Sequence, residues 1–208
     1  MLSLLDFFAT YVLHGRQTSA ADQTPAPSFK CTRQESQKTW ENELSGLMQR
    51  VHALHCRSRQ QSKLGAHGIT DAVQIWNDLA SWTPLKEQFT TEEQVRLFGA
   101  CRSAIFLWAY FLMHPDDMEG WKAQDSLKDI LANVSEIEAP EIAPLLVIPL
   151  FFGGLTATDP EDLDVVNEMY EQLEGSIQHN ALRDSWHILQ MVWDEDDKGT
   201  RPSWDWIR

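Results

Sequence analysis

Apolar side chains recur every three or four residues along most of this chain, which is the spacing of helices with one buried face. The pattern predicts a helix over Thr39–Arg57 and a shorter one over Asp71–Trp82 that stops before Pro84. The next segment, Thr91–Met113, begins amphipathic and becomes apolar on all sides. A helix of that kind is buried all round, so we expect Thr91–Met113 to be the central helix of the fold.

Two further helices are predicted after the central one, over Trp121–Ile137 and over residues 140–157, where Pro149 is expected to introduce a kink. Alternation with a period of two, which marks half-buried strands, is almost absent. The sequence therefore predicts an all-α fold: a single helical domain of about eight helices around a buried central helix.

The last two predicted helices lie between residues 159 and 193. Asp159 is placed to cap a helix that starts at Pro160, and Gly175 is placed to end it. Each helix carries one apolar face that must pack against a larger body, so we assign these residues to the core. The first face consists of Leu163, Val166, Tyr170 and Leu173, and the second of Leu182, Trp186, Leu189 and Trp193.

The first 36 residues combine a short apolar helix with a linker. Residues 2–14 read as a helix, since a signal peptide would need a basic start and a clear cleavage site. Residues 15–36 are rich in Gln, Thr, Ser, Ala and Pro, with Pro25 and Pro27 breaking any regular element. We expect two parts: an N-terminal helix and linker over residues 1–36, and a helical domain over residues 37–208.

Composition indicates a folded, acidic protein. Hydrophobic residues make up 43% of the 208 positions, nine of them tryptophan, and the net charge is −14. Residues 64–208 hold 26 acidic and only 9 basic side chains, a balance that repels nucleic-acid phosphates. We expect no direct contact with DNA. The longest apolar run is about ten residues, too short for a bilayer, so a soluble intracellular protein is expected.

Cysteine usage favours a reducing compartment and offers one weak metal pattern. Cys31, Cys56 and Cys101 are few and far apart, which argues against a disulfide framework. His52 and Cys56 are one helical turn apart and His55 is close to both, but no third and fourth ligands are evident. We expect buried histidines here, with no metal and no cofactor.

Three blocks of sequence, in a fixed order, carry a resemblance to a known family. They are AVQIWNDLASWTP, LFGACRSAIFLWAYFLM, and PLLVIPLFFGGLTATDPEDL followed by a helix pair that ends in Trp193. The order resembles the C-terminal part of the fungal-specific regulatory domain of zinc-binuclear-cluster transcription factors. The similarity covers roughly three-quarters of the chain, counted from about Val51. The Gly-Gly and Asp-Pro-Glu-Asp block is its most specific part.

The resemblance implies a regulatory or effector domain of a nuclear transcription regulator, with the cytoplasm as the alternative location. Such a regulator would control a fungal metabolic or secondary-metabolite gene cluster. The family's DNA-binding module needs six closely spaced cysteines, and this sequence has no two cysteines close enough for even one Cys-x-x-Cys pair. DNA binding is therefore carried over to no residue here. A truncated gene product, a cloned fragment and a stand-alone regulatory domain remain alternatives.

An enzyme is the competing class, although a non-enzyme is favoured. A helical domain of this kind could act as a cofactor-free cyclase, isomerase or hydrolase with suitably placed acids and bases. The candidates are His114 with Asp117 at the end of the central helix, and Asp184 with His187 one turn apart. Helix termination explains the first pair equally well, and solvent exposure is the simpler state of His187.

Ligand and partner candidates follow from the aromatic residues. Trp76, Trp108, Tyr110 and Phe111 are expected to line a pocket between helices for a small-molecule effector. Arg102, in the buried helix, is expected to be an internal ion-pair partner.

The acidic tail WDEDDKGTRPSWDWIR could dock onto a partner as an activation segment, or pack its tryptophans back onto the domain, which we favour. Expected protein partners are the transcription machinery, a full-length regulator or a second copy in a homodimer. A corepressor that does not bind DNA would contact an acidic face of its partner through the basic segment of residues 30–63. No membrane partner is expected.

Overall fold

The computed structural model describes residues 4–14, 40–61, 65–82, 89, 91–175, 179–196, 198 and 206. All regular structure within them is helical, in eight α-helices with short π and 3-10 turns, so the predicted all-α fold is confirmed. The helices are α1 (Leu4–Phe7, continued by a π-helical turn Phe8–Val12), α2 (Trp40–Gln61), α3 (Ala66–Ser81), α4 (Glu92–Met113), α5 (Trp121–Val134), α6 (Val147–Thr156), α7 (Pro160–Glu174) and α8 (Asn180–Asp196).

The central helix is α4, as predicted. It starts where the Thr91 hydroxyl accepts a hydrogen bond from the Gln94 amide, and it packs against α2, α3, α5 and α6. By length and composition alone it could cross a membrane. In the 18-residue stretch of α4 that is apolar enough to do so, 67% is buried inside the bundle, as in the core helix of a soluble protein.

Helix α6 is the second fully buried helix, and it begins later than predicted. A 3-10 turn over Ala143–Leu146 leads into it, and every residue of Val147–Thr156 is buried. Pro149 therefore lies in the first turn, where its missing N–H has no acceptor in the helix, instead of kinking the middle of a longer helix.

The two glycines of α6 face different neighbours. A Cβ atom at Gly154 would lie 2.7 Å from a Leu189 methyl carbon of α8, whereas one at Gly153 would meet ordinary contacts of 3.4 and 3.5 Å with α5. Gly154 thus allows α6 and α8 to approach closely.

We expect Gly154→Ala to lower the free energy of unfolding by about 1 kcal/mol, because the buried Leu189 side chain must shift to admit the methyl group. Gly153→Ala is the matched control and should be neutral or stabilising, since alanine favours helix by up to about 1 kcal/mol over glycine. Urea unfolding of both variants measures the difference. Equal effects would contradict the close approach of α6 and α8.

Helices α7 and α8 form an antiparallel pair on α6. The Asp159 carboxylate accepts a hydrogen bond from the Glu161 amide at 3.1 Å, with Pro160 as the first helical residue, as predicted. The fully buried Tyr170 of α7 donates its hydroxyl to Ser185 of α8 at 3.1 Å. Buried side chains on the two facing sides fix the pair against the core.

The N-terminal segment packs on the same core. Phe8 is completely buried and its ring meets those of Phe151 and Phe152 at 5.5 and 6.3 Å. The predicted linker at 15–36 lies outside the described residues, so the division at residue 36 stays a prediction.

Arg102 corrects one expectation. Its guanidinium donates to the backbone carbonyls of Leu79 and Ala80 at 2.9 and 3.5 Å, at the C-terminal end of α3. Within the described residues it caps a helix end, whose carbonyls carry partial negative charge, and it forms no ion pair.

Candidate functional site

One buried aromatic site in the described part of the chain holds the indole of Trp206. Trp206 is 6% exposed, and its ring N–H donates to the Val12 carbonyl at 3.1 Å. We call the surrounding walls the Trp206 socket. The distances from the Trp206 ring centroid to the wall rings are 5.1 Å for His55, 5.8 Å for Trp108, 5.3 Å for Phe151 and 5.7 Å for Phe152.

A hydrogen bond between two side chains orders one wall of the socket. The indole of Trp108 donates to Nδ1 of His55 at 3.0 Å, and both side chains are 1% exposed. Nδ1 must therefore be an acceptor, which requires a neutral imidazole. Burial lowers the pKa of His55 to about 3, and the positive charges of His52 and Arg59 act in the same direction. The socket wall is neutral at physiological pH.

His52 lies beside this wall and pairs with Cys56, whose sulfur is 3.5 Å from Nε2 of the imidazole. Burial lowers the pKa of His52, and a hydrogen bond from the imidazole to the Tyr11 backbone opposes that shift. Burial raises the pKa of the Cys56 thiol, so it is not an activated nucleophile. Across the part of the chain that the structure describes, no group of three or more His, Cys, Asp or Glu side chains is placed to hold a metal.

The four residues predicted to line one pocket fall into two aromatic clusters. Trp108 belongs to the Trp206 socket. Trp76 of α3 meets Tyr110 of α4 at 6.1 Å between ring centroids, and Tyr110 is 5.8 Å from Phe111. Trp206 fills the space beside Trp108, and the effector pocket expected from these four residues stays a prediction.

The second cluster continues onto the surface. Phe106 packs edge-on against Trp76 at 4.8 Å, and the Lys122 ammonium lies 4.8 Å from Trp76 and 5.6 Å from Trp121. Trp121 is 74% exposed. This face of α3, α4 and α5 combines aromatic rings with a cation held by their negative faces.

His114 and Asp117 both meet Tyr110 at the end of α4. The tyrosine hydroxyl donates to the Asp117 carboxylate, and the His114 ring centroid is 4.8 Å from the tyrosine ring. Burial, together with Asp117, raises the pKa of Tyr110 to about 12, so the phenol stays protonated. His114 also ends α4, with its amide bonded to the Tyr110 carbonyl at 2.9 Å, as expected for helix termination. Both His114 and Asp117 are exposed.

Asp184 and His187, the second candidate pair, have different surroundings. The Asp184 carboxylate lies 3.6 Å from the His14 imidazole of the N-terminal segment. His187 is exposed, as its position off the apolar face indicated, and lines two open grooves of about 390 and 680 Å³ along α8. Roles for these residues in catalysis stay predictions.

Two tryptophans of the tail, Trp193 and Trp206, pack onto the domain, as in the alternative that the sequence favours. Trp193 donates its ring N–H to the Gly154 carbonyl at 2.9 Å, in addition to the docking of Trp206. Trp204 lies outside the described residues. Sequence reasoning missed the destination of Trp206, because the contact joins positions 194 residues apart. Aromatic residues at both ends of the chain were the available signal.

Comparison with known proteins bears on the family of this chain. No curated protein and no solved structure matches the chain. The family model described as the fungal specific transcription factor domain matches residues 16–208, which includes all three blocks that carry the resemblance. The chain therefore belongs to the fungal specific transcription factor domain family.

Proposed function

We propose that this chain is the regulatory part of a nuclear transcription regulator that controls a fungal metabolic or secondary-metabolite gene cluster. The observation that supports the proposal is the family match over residues 16–208, which assigns the chain a role in transcription regulation. The nucleus follows as the proposed location, since transcription takes place there.

The proposed mode of action is through protein contacts. A net charge of −14 opposes binding to phosphate, so contact with DNA would come from another polypeptide segment or partner. The described residues offer two kinds of surface for such contacts: the aromatic face around Trp121, and the acidic end of α8 at Asp194 and Asp196. The transcription machinery and a full-length regulator are the proposed partners.

A tethering experiment tests the proposal. The chain is fused to an unrelated DNA-binding module, and a reporter carrying that module's site is measured in a fungal host. We expect reporter output to change severalfold relative to the module alone, in either direction, and a fluorescent fusion of the chain to enter the nucleus. Trp108→Ala, which should strongly destabilise the domain, is the control that reduces the effect.

Deletion of the gene tests whether the chain controls a metabolic or secondary-metabolite gene cluster. Transcripts of one contiguous set of metabolic genes should change, and expression of the intact chain should restore them. An unchanged reporter together with unchanged transcripts would overturn the proposal.

A further inference from the structure

The Trp206 socket is built like a binding site for an aromatic ring. Trp206 meets Phe151 and Phe152 at interplanar angles of 90° and 84°, and Trp108 and His55 at 61° and 69°. In these edge-to-face arrangements the positive edge of one ring lies against the negative face of another. The walls are rigid, because Phe151 and Phe152 belong to the buried helix α6 and Trp108 is hydrogen-bonded to His55.

One fixed acceptor orients the ring in the socket. Val12 is the last residue of the N-terminal π-helical turn, where backbone carbonyls find no N–H donor within the helix and accept from an outside donor. The Trp206 ring N–H supplies it at 3.1 Å. Any planar ring with an N–H on its edge can make the same bond, whereas a ring without one leaves a buried carbonyl unsatisfied.

The group in the socket is the side chain of Trp206, the one residue after Lys198 that the structure describes. Trp206 follows the end of α8 at Asp196 by ten positions. The other socket walls are provided by α2, α4 and α6. Among the described residues, Trp206 is held in the socket by its hydrogen bond to Val12 and by its ring contacts with His55, Trp108, Phe151 and Phe152.

We propose that the Trp206 socket is a ligand site which the chain fills with its own terminal indole, and that a neutral planar aromatic molecule of the indole class, with one ring N–H, takes its place. A charged ligand is excluded, because the walls are apolar rings and a neutral imidazole that cannot compensate the lost hydration of an ion.

Exchange would couple ligand binding to release of the tail. The end of α8 carries Asp194, Glu195 and Asp196, and the sequence that follows adds Asp197 and two more tryptophans at positions 204 and 206. A ligand in the socket frees this acidic, tryptophan-bearing segment for a partner. This consequence rests on the proposed regulatory function, but the binding itself does not, and the two are tested separately.

The test uses indole as the probe and isothermal titration calorimetry on the full chain. Trp206→Ala should bind one indole per chain, and N-methylindole should bind about fivefold more weakly because it cannot donate to Val12. Wild-type protein should bind indole at least about tenfold more weakly than the variant, since its own side chain competes. Trp193→Ala is the matched control, because it removes an indole on α8 and leaves the socket filled.

Exchange in the intact protein is followed by fluorine NMR after 5-fluorotryptophan labelling, with the Trp206 resonance assigned by its loss in the alanine variant. Adding indole should move that resonance to a solvent-exposed position and leave the Trp193 resonance in place. If Trp206→Ala does not fold, Trp206→Phe serves, which keeps a ring but loses the N–H and should bind indole more tightly than wild type. An unmoved Trp206 resonance up to the solubility of indole, or equal affinity for N-methylindole, overturns the proposal.

Discussion

Replacing Trp108 by alanine is expected to remove about 3–5 kcal/mol from the free energy of unfolding. Its side chain is 1% exposed, it stacks on Phe152 at 5.1 Å and it donates the only N–H that reaches Nδ1 of His55 among the described contacts. The variant would leave a cavity in the middle of the bundle and a buried acceptor without its donor. A loss of this size approaches the whole stability of many domains.

Chemical denaturation followed by circular dichroism measures this loss. Phe106→Ala is the control on the same helix: Phe106 is only partly buried, and we expect its replacement to cost about 1 kcal/mol. Trp108→Phe should fall between the two variants, since it keeps a ring in the core and loses the hydrogen bond. Equal losses for Trp108→Ala and Phe106→Ala would mean that the socket is not part of the stabilising core.

The helices could be predicted because their signals are local. Asp159 and Pro160 start α7 through contacts within one turn, and the fully apolar second half of α4 can only be stable when it is buried on every side. The family could also be recognised from local blocks of sequence. In each case the residues that carry the signal are close together in the chain, and no knowledge of the tertiary arrangement is needed.

Long-range partners could not be predicted in the same way. Periodicity shows that Trp108 and His55 face the core, but not that two residues 53 positions apart share a hydrogen bond. The contact of Asp184 is of the same kind: the sequence offers His187, one turn away, as a possible partner, whereas packing of the N-terminal segment brings the His14 imidazole to 3.6 Å from the carboxylate. The sequence likewise suggests an ion-pair partner for Arg102. Its actual acceptors are backbone carbonyls, whose positions cannot be predicted from residue types.

The candidate sites depend on such long-range contacts, which is why sequence reasoning placed their residues only in part. The sequence predicts that Trp108 lines a pocket, and it favours a tail that packs on the domain. The Trp206 socket is formed by Trp108, by Trp206 of the tail and by the carbonyl of Val12 near the other end of the chain. Only the three-dimensional structure shows that the aromatic residues from these separate segments surround a single position.

The second large expected effect is a loss of stability in mild acid, caused by the buried histidines of α2. The pKa of His55 is lowered to about 3 from an ordinary value of 6.5, and that of His52 is also lowered. Between pH 3 and 6.5 the unfolded chain therefore binds more protons at His55 than the folded chain does. The stabilising effect of the neutral histidine is complete above pH 6.5 and declines as the pH falls toward 3.

At pH 5, which is 1.5 pH units below the unfolded pKa, His55 alone should lower the free energy of unfolding by about 2 kcal/mol relative to neutral pH. Urea unfolding between pH 5 and 7.5 measures this slope. His55→Gln retains an acceptor for the Trp108 indole but cannot be protonated, so it should flatten the slope while His52 leaves a remainder. His67→Gln, at an exposed position of α3, should leave the slope as in wild type. If the pH dependence of the free energy of unfolding is the same in His55→Gln as in wild type, burial against Trp108 and Trp206 does not hold the imidazole of His55 neutral.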